Sequence, residues 1–453
     1  MKVVVIGGVA GGASFAARYR RLDKKSEITI IDRGEYISFA NCGLPYYVGN
    51  VIDDRAKLFV HTPESMKEKF NIDVKIKNEV LKIDPSRKAV SVKNLLTGDI
   101  YEEPYDKLVI ATGSSPLKPP IPGIDGNNIF TLWTIPDTDK VKNHIEKTSA
   151  KKAAVIGGGF IGIEMAENLH ALGIEVSIIE MADQVMAPLD KEMAEYLHAH
   201  LKDMGVNLIL EDGVKEFLPK ENKTVVVTAT GKKIEADLII LSIGIKPNSV
   251  LAKDAGLTIG QRGGIVVDKA MVTSNPDIYA VGDVIEVEDF VNKVPTMIPL
   301  AGPANKQGRI AANNLAGIAD YYSGTQGTAA VKIFELIASS TGTNEKTLQK
   351  LGKVKGSDYE IIKIDASNHA EYYPGDQTLH IKVIFSLSDG KILGAQIVGG
   401  EGTDKRIDIL ATAIRLDGRI NDLKELELAY APPYSTSKDP INIIGFISEK
   451  FFD

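Results

Sequence analysis

The feature that most constrains this chain is a strand, glycine turn, helix and strand unit that occurs twice. One copy spans residues 2–32 and the other spans residues 152–180. Each copy begins with a short apolar strand, passes through a glycine-rich turn into an amphipathic helix, and ends with a second apolar strand closed by an acidic residue. This is the pattern of a βαβ unit with a phosphate-binding turn. Two copies predict an α/β fold with two Rossmann-like nucleotide sites.

The second glycine turn fits the spacing G-x-G-x-x-G, with Gly157, Gly159 and Gly162. The first glycine permits the tight turn, the second lets the backbone approach a pyrophosphate, and the third lets the helix pack on the strand. Free N–H groups at the helix start would hold the phosphates. Glu180 closes the second strand, where an acid accepts hydrogen bonds from ribose hydroxyls and repels a 2′-phosphate. We therefore expect NADH rather than NADPH, with NADPH as the alternative.

The first glycine turn departs from that spacing. Gly7 and Gly12 are present, but Val9 occupies the central position. Asp32 still lies where the ribose-binding acid belongs. A dinucleotide site is the interpretation that we favour for this turn, and two later segments support it.

Those two segments are apolar strands that end in short polar motifs. One strand ends at Ala111, Thr112 and Gly113, and the other ends at Gly282 and Asp283. Both motifs are typical of flavoproteins with two dinucleotide domains, in which the aspartate binds the ribityl chain or the pyrophosphate of FAD. We therefore expect FAD at the first turn.

Cys42 is the single cysteine of the chain and lies in the segment SFANCGLPYYVG, residues 38–49. One cysteine excludes an intramolecular disulfide and a cysteine-rich metal site, and we expect no metal. A lone cysteine is often only a small buried hydrophobe. Here Asn, Gly and Pro surround it, directly after the predicted FAD-binding unit. A redox thiol beside a flavin is the alternative, with its thiolate favoured by nearby helix N-termini.

Composition limits the expected number of domains, the kinds of partner and the location of the protein. The 453 residues are 44% hydrophobic and 25% charged, with a net charge of −7, which predicts several ordinary globular domains. The acidic balance gives no argument for a nucleic-acid or membrane partner. The apolar start of the chain could be a weak signal peptide, but charged residues follow at once in the predicted helix. We therefore expect a cytoplasmic protein.

These motifs resemble the pyridine nucleotide-disulfide oxidoreductases over nearly the whole chain. Within that family they are similar to coenzyme A-disulfide reductases, CoA-persulfide reductases and NADH oxidases. The motifs that carry the resemblance are GGVAGGASFAARYRRLD, SFANCGLPY, GGGFIGIEMAE, YAVGD, HAEYYPG and AYAPPYSTSKDP.

Departures from the family pattern separate its branches. Glutathione and lipoamide reductases use a C-x4-C pair and a C-terminal His–Glu base, whereas this chain has one cysteine and no histidine after His380. Peroxidases and many oxidases have a histidine in the first turn, where this chain has Ala10. The resemblance thus favours the CoA-disulfide branch without excluding oxidase activity.

The resemblance also implies a three-part architecture. An FAD-binding domain would comprise residues 1–118 and 247–324, with an NAD(P)H-binding domain, 119–246, inserted between its two parts. A C-terminal α+β dimerisation domain would comprise residues 325–453. The implied assembly is a homodimer in which tyrosines from one subunit meet the cysteine of the other.

The implied catalytic residues are one cysteine and two tyrosines. Cys42 would cycle between a thiolate and a mixed disulfide with the substrate thiol. Tyr372 and Tyr430 would assist exchange by protonating the leaving thiolate or by stabilising the site. Tyr373 competes with Tyr372 for this role, and structural packing is the alternative for both.

The implied electron path runs from NADH through FAD to Cys42, and then to CoA disulfide, CoA persulfide or polysulfide. Phe160 would gate the nicotinamide over the flavin, and Glu164 would lie nearby. Both could equally be ordinary residues of the first helical turn. Two alternatives to a reductase stay open: an NADH oxidase that reduces O2, and a flavoprotein redox sensor without turnover.

A basic cluster in the first predicted helix has two interpretations. Arg18, Arg20, Arg21, Lys24 and Lys25 form either a solvated helix face or a cradle for the phosphates of coenzyme A, since arginine binds two phosphate oxygens at once. The family positions that contact CoA correspond to Ser14, Arg18, Arg21, Ser38, Asn41 and Lys438.

Overall fold

The computed structural model of the protein describes residues 1–452. The first part of the chain, up to residue 118, contains β1 (Lys2–Ile6), α1 (Ala10–Leu22), β2 (Glu27–Ile31), α2 (Leu44–Val48), α3 (Pro63–Phe70), β3 (Asp73–Lys75), β4 (Asn78–Asp84), β5 (Ala89–Asn94), β6 (Ile100–Pro104), β7 (Lys107–Ile110) and β8 (Ser114–Pro116). The next part contains β9 (Ile129–Phe130), α4 (Ile135–Thr148), β10 (Lys152–Ile156), α5 (Phe160–Ala171), β11 (Glu175–Ile179), α6 (Lys191–Asp203), β12 (Asn207–Ile209), β13 (Val214–Lys220), β14 (Lys223–Thr228), β15 (Lys233–Ala236), β16 (Leu238–Leu241) and β17 (Ile245–Pro247).

The rest of the chain returns to the first part and then forms a separate sheet. The return contains α7 (Val250–Asp254), β18 (Ile265–Val266), β19 (Ile278–Ala280), β20 (Ile285–Glu288), β21 (Pro295–Thr296) and α8 (Ala301–Leu315). The C-terminal part contains β22 (Ala329–Ile333), β23 (Leu336–Gly342), α9 (Glu345–Lys350), β24 (Tyr359–Ser367), β25 (Thr378–Ser386), β26 (Ile392–Gly399), α10 (Thr403–Arg415) and α11 (Pro440–Ser448). Short 3-10 turns occur at Asn41–Gly43, Arg55–Leu58, Ile420–Glu425 and Glu449–Phe451.

Two five-stranded parallel sheets carry the two predicted nucleotide turns. The first sheet has the order β19-β7-β1-β2-β3 and the second has the order β12-β11-β10-β16-β9. In both sheets the central strand is apolar and buried after its first residue, as expected for a sheet covered on both faces. Each glycine turn therefore begins at the carboxyl end of a buried central strand, which is where open α/β sheets bind ligands. The α/β prediction is confirmed.

The C-terminal part is an antiparallel sheet packed against helices. Its strand order is β22-β23-β26-β25-β24. The core between this sheet and the helices α10 and α11 contains Ile381, Ile397, Leu410, Ile441 and Ile444. This is the predicted α+β architecture.

Several predicted element bounds differ from those in the structure. The sequence patterns at 303–316 and 404–417 predict helices, which the structure places at Ala301–Leu315 and Thr403–Arg415. The segment AAVKIFEL, residues 329–336, has the sequence pattern of a single strand. In the structure it is part of a hairpin of β22 and β23, because Phe334 turns the chain with a φ of 54°. The helix α11, after the closing motif, was not predicted.

The proposed insertion of residues 119–246 fits the strand pairing. β8 and β17 flank the inserted segment and pair with each other in an antiparallel register. The exact domain boundaries remain predictions. Within residues 1–452, every helix is too short or too polar to cross a bilayer.

A buried ammonium group joins the second parallel sheet region to the C-terminal sheet. The carboxylates of Asp190, Glu192 and Glu345 lie close enough together to hold a metal ion. The side chain of Lys382 has no exposed surface, and its Nζ donates to Asp190 Oδ2 at 2.8 Å, to Glu345 Oε2 at 2.6 Å and to Glu192. Burial opposes its charge, but these three hydrogen bonds raise the pKa of Lys382 to about 12. The ammonium group of a lysine from β25 thus lies among the three carboxylates and offsets part of their charge.

Candidate active site

The first glycine turn is shaped by close backbone contacts. Gly7 has a φ of 100°, and a Cβ at this position would lie 2.2 Å from the carbonyl oxygen of Ala111. A Cβ on Gly12 would lie 2.0 Å from the carbonyl oxygen of Gly7. Both positions therefore require glycine, one for its conformation and one for the packing of α1 on the turn. The motif at 111–113 is thus in direct contact with the first turn.

Asp32 lies at the end of β2, beside that turn. Its carboxylate accepts hydrogen bonds from the N–H of Gly8 at 2.8 Å and of Gly34 at 2.7 Å. Burial raises the pKa of Asp32, and the two backbone donors oppose the shift. Each carboxylate oxygen uses one lone pair in these bonds, which leaves acceptor capacity for ribose hydroxyls.

Gly282 and Asp283 lie at the carboxyl end of β19, in the same sheet. The N–H of Gly282 donates to Gln307 Oε1 at 2.9 Å, and Ser114 Oγ donates to Asp283 Oδ2 at 2.9 Å. Burial raises the pKa of Asp283. An adjoining cavity of about 260 Å³ is lined by Ile245, Pro247, Arg262, Gly282, Asp283, Ile285, Val287, Met297, Ile298, Pro299 and Gln307.

The polar groups of this region fit an FAD molecule. A Cβ built on Gly113 would meet no atom within 4 Å, so the backbone there faces open space. Asp32 and Asp283, at the ends of β2 and β19, offer acceptors on either side of the first turn. An elongated dinucleotide with hydroxyl groups along its length matches this donor and acceptor set.

The second glycine turn repeats the geometry of the first. Gly157 has a φ of 102°, and its Cβ would lie 2.4 Å from the carbonyl oxygen of Ser242. A Cβ on Gly162 would lie 2.0 Å from the carbonyl oxygen of Gly157. A Cβ on Gly159, in contrast, would meet no atom within 4 Å. The central glycine therefore leaves room for a ligand rather than for protein.

Glu180 lies beside the second turn as Asp32 lies beside the first. Its carboxylate accepts from the N–H of Gly158 at 2.7 Å and of Ala182 at 2.8 Å. Phe160 is the first residue of α5 and is partly buried. These residues fit a nicotinamide dinucleotide, with the phosphates at the start of α5.

Cys42 lies in the 3-10 turn that precedes α2, and its side chain is exposed in a single protomer. Partial loss of solvent raises the pKa of the Cys42 thiol, and the carboxylates of Glu164 and Asp283 raise it further. Burial first, and then these two carboxylates, oppose the stabilisation of the thiolate that was expected from nearby helix N-termini. Those carboxylates come from the two predicted cofactor regions, so Cys42 lies between them.

Glu164 is held by a tyrosine that sequence reasoning missed. Tyr46, on α2, donates to Glu164 Oε1 at 3.3 Å. Burial raises the pKa of Glu164 to about 7, with a smaller contribution from Glu167 and opposition from the Tyr46 hydrogen bond. Tyr46 lies four positions after Cys42, and this helical spacing is the sequence signal that could have pointed to Tyr46 as a neighbour of the cysteine.

Tyr372 and Tyr430 meet at the surface of the C-terminal part. Their hydroxyl oxygens lie 2.9 Å apart, and their side chains are 75% and 49% exposed. This hydrogen bond raises the pKa of Tyr372. Tyr373 instead packs edge-on against His369, with ring centroids 5.6 Å apart. The structure therefore pairs Tyr372, not Tyr373, with Tyr430.

A buried arginine fixes the two loops that carry these tyrosines. Arg406 donates to the carbonyl oxygen of Asn368 and to Asp439 Oδ2, both at 2.9 Å, and is fully buried. The N–H of Ala370 also donates to the carbonyl oxygen of Pro432 at 3.2 Å. Sequence reasoning missed Arg406, since nothing in its local pattern separates it from a surface residue of α10.

The expected CoA-contacting residues of α1 are anchored to α8. Ser14 Oγ donates to Asn305 Oδ1 at 2.7 Å, and Arg18 Nε donates to Asn313 Oδ1 at 2.8 Å. This hydrogen bond uses only Nε of Arg18, so its two terminal guanidinium nitrogens can still donate to a ligand.

The basic cluster of α1 is divided between structural and free residues. Arg20 is buried and donates to backbone carbonyls, including Phe70 at 2.9 Å and Ser26 at 2.7 Å. It therefore belongs neither to a solvated face nor to a phosphate cradle. Arg21 is exposed, and its guanidinium carbon lies 5.5 Å from the ring centroid of Phe70.

The other residues that are expected to contact CoA lie in two segments that are far apart in the sequence. Ser38, with a φ of 45°, donates its N–H to the carbonyl oxygen of Gly8 at 2.8 Å. Asn41 Nδ2 donates to the carbonyl oxygen of Trp133 at 3.3 Å. Lys438 is exposed beyond the tyrosine pair. Within residues 1–452 of one protomer, no hydrogen bond or ion pair joins the Lys438 side chain to α1.

Comparison with known proteins places the chain in a family. Residues 1–308 match the family model described as pyridine nucleotide-disulphide oxidoreductase, and residues 328–439 match the dimerisation domain of the same family. The chain therefore belongs to the pyridine nucleotide-disulphide oxidoreductases and is an FAD-dependent oxidoreductase.

Several individual members of the family are similar to nearly the whole of this chain. The coenzyme A disulfide reductase of Staphylococcus epidermidis is 36% identical over 98% of this chain and 99% of its own length. The solved structure of reduced Bacillus anthracis CoADR-RHD has a TM-score of 0.97 and 50% identity, covering 99% of this chain and 80% of that one. An NAD-dependent persulfide reductase from A. fulgidus has a TM-score of 0.95 and 40% identity, covering 99% and 83% of the two chains. A water-forming NADH oxidase from Lactobacillus brevis has a TM-score of 0.94 and 28% identity, covering 99% and 98%.

Proposed function

We propose that the protein reduces CoA disulfide, or CoA persulfide and polysulfide, with NADH through FAD and the single thiol of Cys42. The observation that carries the proposal is the position of Cys42. The carboxylates of Glu164, which follows the second glycine turn, and of Asp283, which follows β19, both raise the pKa of its thiol. A thiol between two dinucleotide sites is placed to exchange electrons with a cofactor that spans them.

The proposed cofactor sites use the two glycine turns. FAD would lie along Gly7 and Gly12, with Asp32 and Asp283 as hydroxyl acceptors and the segment Ala111, Thr112 and Gly113 beneath it. When bound, FAD would supply two-electron transfer between the nicotinamide and sulfur.

NADH would bind the second turn. Gly157, Gly159 and Gly162 would hold its pyrophosphate, and Glu180 would accept hydrogen bonds from the ribose. Since the Glu180 carboxylate would repel a 2′-phosphate, we propose NADH over NADPH. Steady-state kcat/KM values for the two coenzymes test this point, and a higher value with NADPH would contradict it.

The proposed chemistry at sulfur is thiol–disulfide exchange. The thiolate of Cys42 attacks one sulfur of CoA disulfide, the S–S bond breaks, and a mixed disulfide and one CoA thiolate form. Tyr430 and Tyr372 protonate the departing thiolate. Because hydrogen bonding to Tyr430 raises the pKa of Tyr372, that hydroxyl keeps its proton at neutral pH. Two electrons supplied by NADH then break the mixed disulfide and return Cys42 to the thiolate. The second CoA takes a proton from the tyrosine pair, which solvent reprotonates, and leaves as a thiol.

The tyrosine pair would act on the cysteine of a second protomer. In one protomer Tyr372 and Tyr430 hydrogen-bond to each other and are largely exposed, next to the exposed rings of Tyr373 and Tyr434. An exposed aromatic cluster of this kind is typical of an interface. We therefore propose a homodimer whose sites combine Cys42 of one subunit with the tyrosines of the other.

The same dimer would complete the CoA site. Ser14, Arg18, Ser38 and Asn41 would contact CoA from one subunit, and Lys438 would reach it from the other. Arg21 would join them at the phosphate end, because its guanidinium is exposed. Arg20 is left out of this proposal, since it is committed to backbone carbonyls.

Anaerobic turnover tests the proposed function. We expect wild-type protein under argon to oxidise NADH when CoA disulfide is added, and Cys42→Ser to lose this activity. If neither protein turns over under argon while both oxidise NADH rapidly in air, the oxidase alternative is supported and the reductase is refuted. Failure to oxidise NADH with any acceptor would support the redox sensor.

A further inference from the structure

The segment of residues 183–190 lies directly against the second glycine turn. The N–H of Met186 donates to the carbonyl oxygen of Gly158 at 2.8 Å. Val185 packs on the same glycine, since a Cβ built on Gly158 would lie 2.6 Å from the valine side chain. Gly158 also donates its own N–H to Glu180, so the turn is held between this acid and the segment. A displacement of the segment would therefore displace the backbone of the turn.

One residue of this segment has a strained backbone. Residues 180–190 lie between the end of β11 and the start of α6. Met186 is buried and has a φ of 52°, a left-handed conformation that is uncommon for a residue with a side chain. Such a conformation persists where the surrounding contacts determine it. Within the segment, the buried amide of Gln184 supplies one contact, because its Nε2 donates to the carbonyl oxygen of Leu189 at 3.0 Å.

Further support comes from the C-terminal part of the chain. Lys346, on α9, donates from its Nζ to Gln184 Oε1 and to the carbonyl oxygen of Ala187, both at 3.0 Å. Asn344 Nδ2, at the start of the same helix, donates to the carbonyl oxygen of Pro188 at 3.0 Å. Lys346 therefore holds both the backbone of the segment and the glutamine that ties the segment together.

The end of the segment is fixed independently by Asp190. The N–H and the carboxylate of Asp190 exchange hydrogen bonds with the side-chain amide of Gln396 on β26, both at 2.7 Å. The ammonium group of Lys382 also donates to this carboxylate. Because these contacts anchor the end of the segment, Lys346 and Asn344 control its middle, which is the stretch next to the glycine turn.

We propose that Lys346 is a positioning residue for the nicotinamide dinucleotide and acts on the second glycine turn through residues 183–190. Its ammonium group holds the segment against Gly158 and so keeps the N–H groups of the turn in the arrangement that binds a pyrophosphate. A turn that is already in this arrangement loses less binding free energy to ordering. The inference rests on the proposed NADH site and adds that the C-terminal part of the chain sets the affinity of that site.

Other contacts already attach the C-terminal part to the second parallel sheet region. The ring of Tyr196, on α6, stacks on His380 of β25 with centroids 3.6 Å apart. Lys332, on β22, pairs with Glu167 of α5. Both contacts lie outside residues 183–190. Loss of the Lys346 contacts should therefore disturb the turn more than it disturbs the attachment of the two parts.

Binding of ADP-ribose to the oxidised holoenzyme tests the proposal. ADP-ribose has the pyrophosphate and the adenosine of NADH but no nicotinamide ring, so its dissociation constant reports on the turn without electron transfer. Isothermal titration calorimetry measures this constant, and thermal unfolding measures the stability of each protein.

Two variants remove the contacts, and two controls match them. Lys346→Met removes both lysine hydrogen bonds. Asn344→Ser keeps a hydroxyl that can cap α9 but is too short to reach Pro188. Lys350→Met removes an exposed lysine of the same helix. His380→Leu removes the stacking on Tyr196 and so loosens the attachment without touching the segment.

Lys346→Met should weaken the binding of ADP-ribose by about fivefold or more, which is the lower end of energetic coupling between two sites. Asn344→Ser should weaken binding in the same direction. Lys346→Arg keeps a cationic donor and should restore most of the affinity. Both controls should bind ADP-ribose as the wild type does, although His380→Leu should lower the thermal midpoint.

Wild-type affinity in Lys346→Met would overturn the proposal. An equal loss of affinity in His380→Leu would also overturn it, because any loosening of the two parts would then weaken binding. If Lys346→Met does not fold, Asn344→Ser decides in the same way. A wild-type protein that does not bind ADP-ribose would refute the proposed NADH site itself, whereas wild-type binding with unchanged variants refutes this inference alone.

Discussion

The hydroxyl oxygens of Tyr372 and Tyr430 lie 2.9 Å apart, although the two residues are 58 positions apart in the chain. They lie on two loops that follow β24 and precede α11, and the loops are joined by buried hydrogen bonds. A pair of phenols held in this way at a protein surface can donate a proton to a ligand that arrives from another subunit.

The tyrosine pair gives the first prediction. Tyr430→Phe and Tyr372→Phe should each lower the anaerobic kcat with CoA disulfide by about tenfold or more, since a positioned acid contributes a factor of about 100 or more and one phenol remains. Tyr373→Phe is the matched control and should retain nearly full activity, because its ring packs on His369. Equal losses in all three variants would contradict the assignment of Tyr372.

Arg406 gives a prediction about stability. Arg406→Met removes the buried ion-pair partner of Asp439 and leaves only the partly exposed Lys405 at 4.0 Å. Breaking a buried pair costs about 3–5 kcal/mol. Arg87→Met is the control, since Arg87 pairs with Asp84 and Glu102 at the exposed surface, where a pair contributes less than about 1 kcal/mol. Thermal unfolding of both variants measures the difference. Similar losses would show that Arg406 does not secure the tyrosine loops.

Glu164 should make stability depend on pH. Burial raises the pKa of Glu164 to about 7 in the folded protein, above its value of about 4.3 in an unfolded chain. The protonated carboxyl therefore favours the folded state; this contribution is complete below about pH 4 and is lost as the pH rises through about 7.

Glu164→Gln should remove this dependence. Relative to the wild type, the variant should gain up to about 3 kcal/mol of stability between pH 5 and pH 8. Differential scanning calorimetry of both proteins at the two pH values measures it. A constant difference between the two proteins at all pH values would contradict the raised pKa.

Substitutions in the basic cluster of α1 should fall into two classes, those that mainly change the KM and those that mainly change the thermal midpoint. Arg18→Ala and Arg21→Ala should each raise the KM for CoA disulfide by about tenfold, because a charge-assisted hydrogen bond is worth about 1.5–3 kcal/mol. Arg21→Ala should leave the thermal midpoint nearly unchanged, whereas Arg18→Ala should lower it modestly, since it also removes the hydrogen bond to Asn313. Arg20→Ala should instead lower the thermal midpoint, since it strands buried carbonyl groups. Lys25→Ala is the exposed control. A large effect of Lys25→Ala on KM would favour nonspecific attraction over a defined phosphate site.

Much of the fold could be predicted because local pattern and long-range packing agree. The two glycine turns occupy the ends of β1 and β10 as their spacing indicates, since each turn requires glycine for reasons that lie within a few residues. The positions of the acids Asp32 and Glu180 could also be predicted, because each acid comes directly after the strand that pairs with the strand before its glycine turn. The class of the C-terminal part followed from family resemblance rather than from periodicity.

Sequence could not predict the contacts that depend on distant chain segments. The hydrogen bond between Tyr46 and Glu164 spans 118 positions, and the pKa of the Cys42 thiol is raised by burial and by carboxylates of two distant segments, Glu164 and Asp283. The burial of Arg20 could not be distinguished from the partial burial of Arg18 and the exposure of Arg21, because all three lie within four positions of one helix. Which loops meet is decided by tertiary packing, not by local sequence.

The most direct test of the central claim is whether CoA becomes attached to Cys42. Reduced protein is freed of reductant under argon and exposed briefly to CoA disulfide without NADH, and its intact mass and cysteine peptide are measured. The account predicts one CoA per chain on Cys42, removed by dithiothreitol, and no adduct in Cys42→Ser. Wild-type protein that stays unmodified would contradict the claim that Cys42 attacks CoA disulfide.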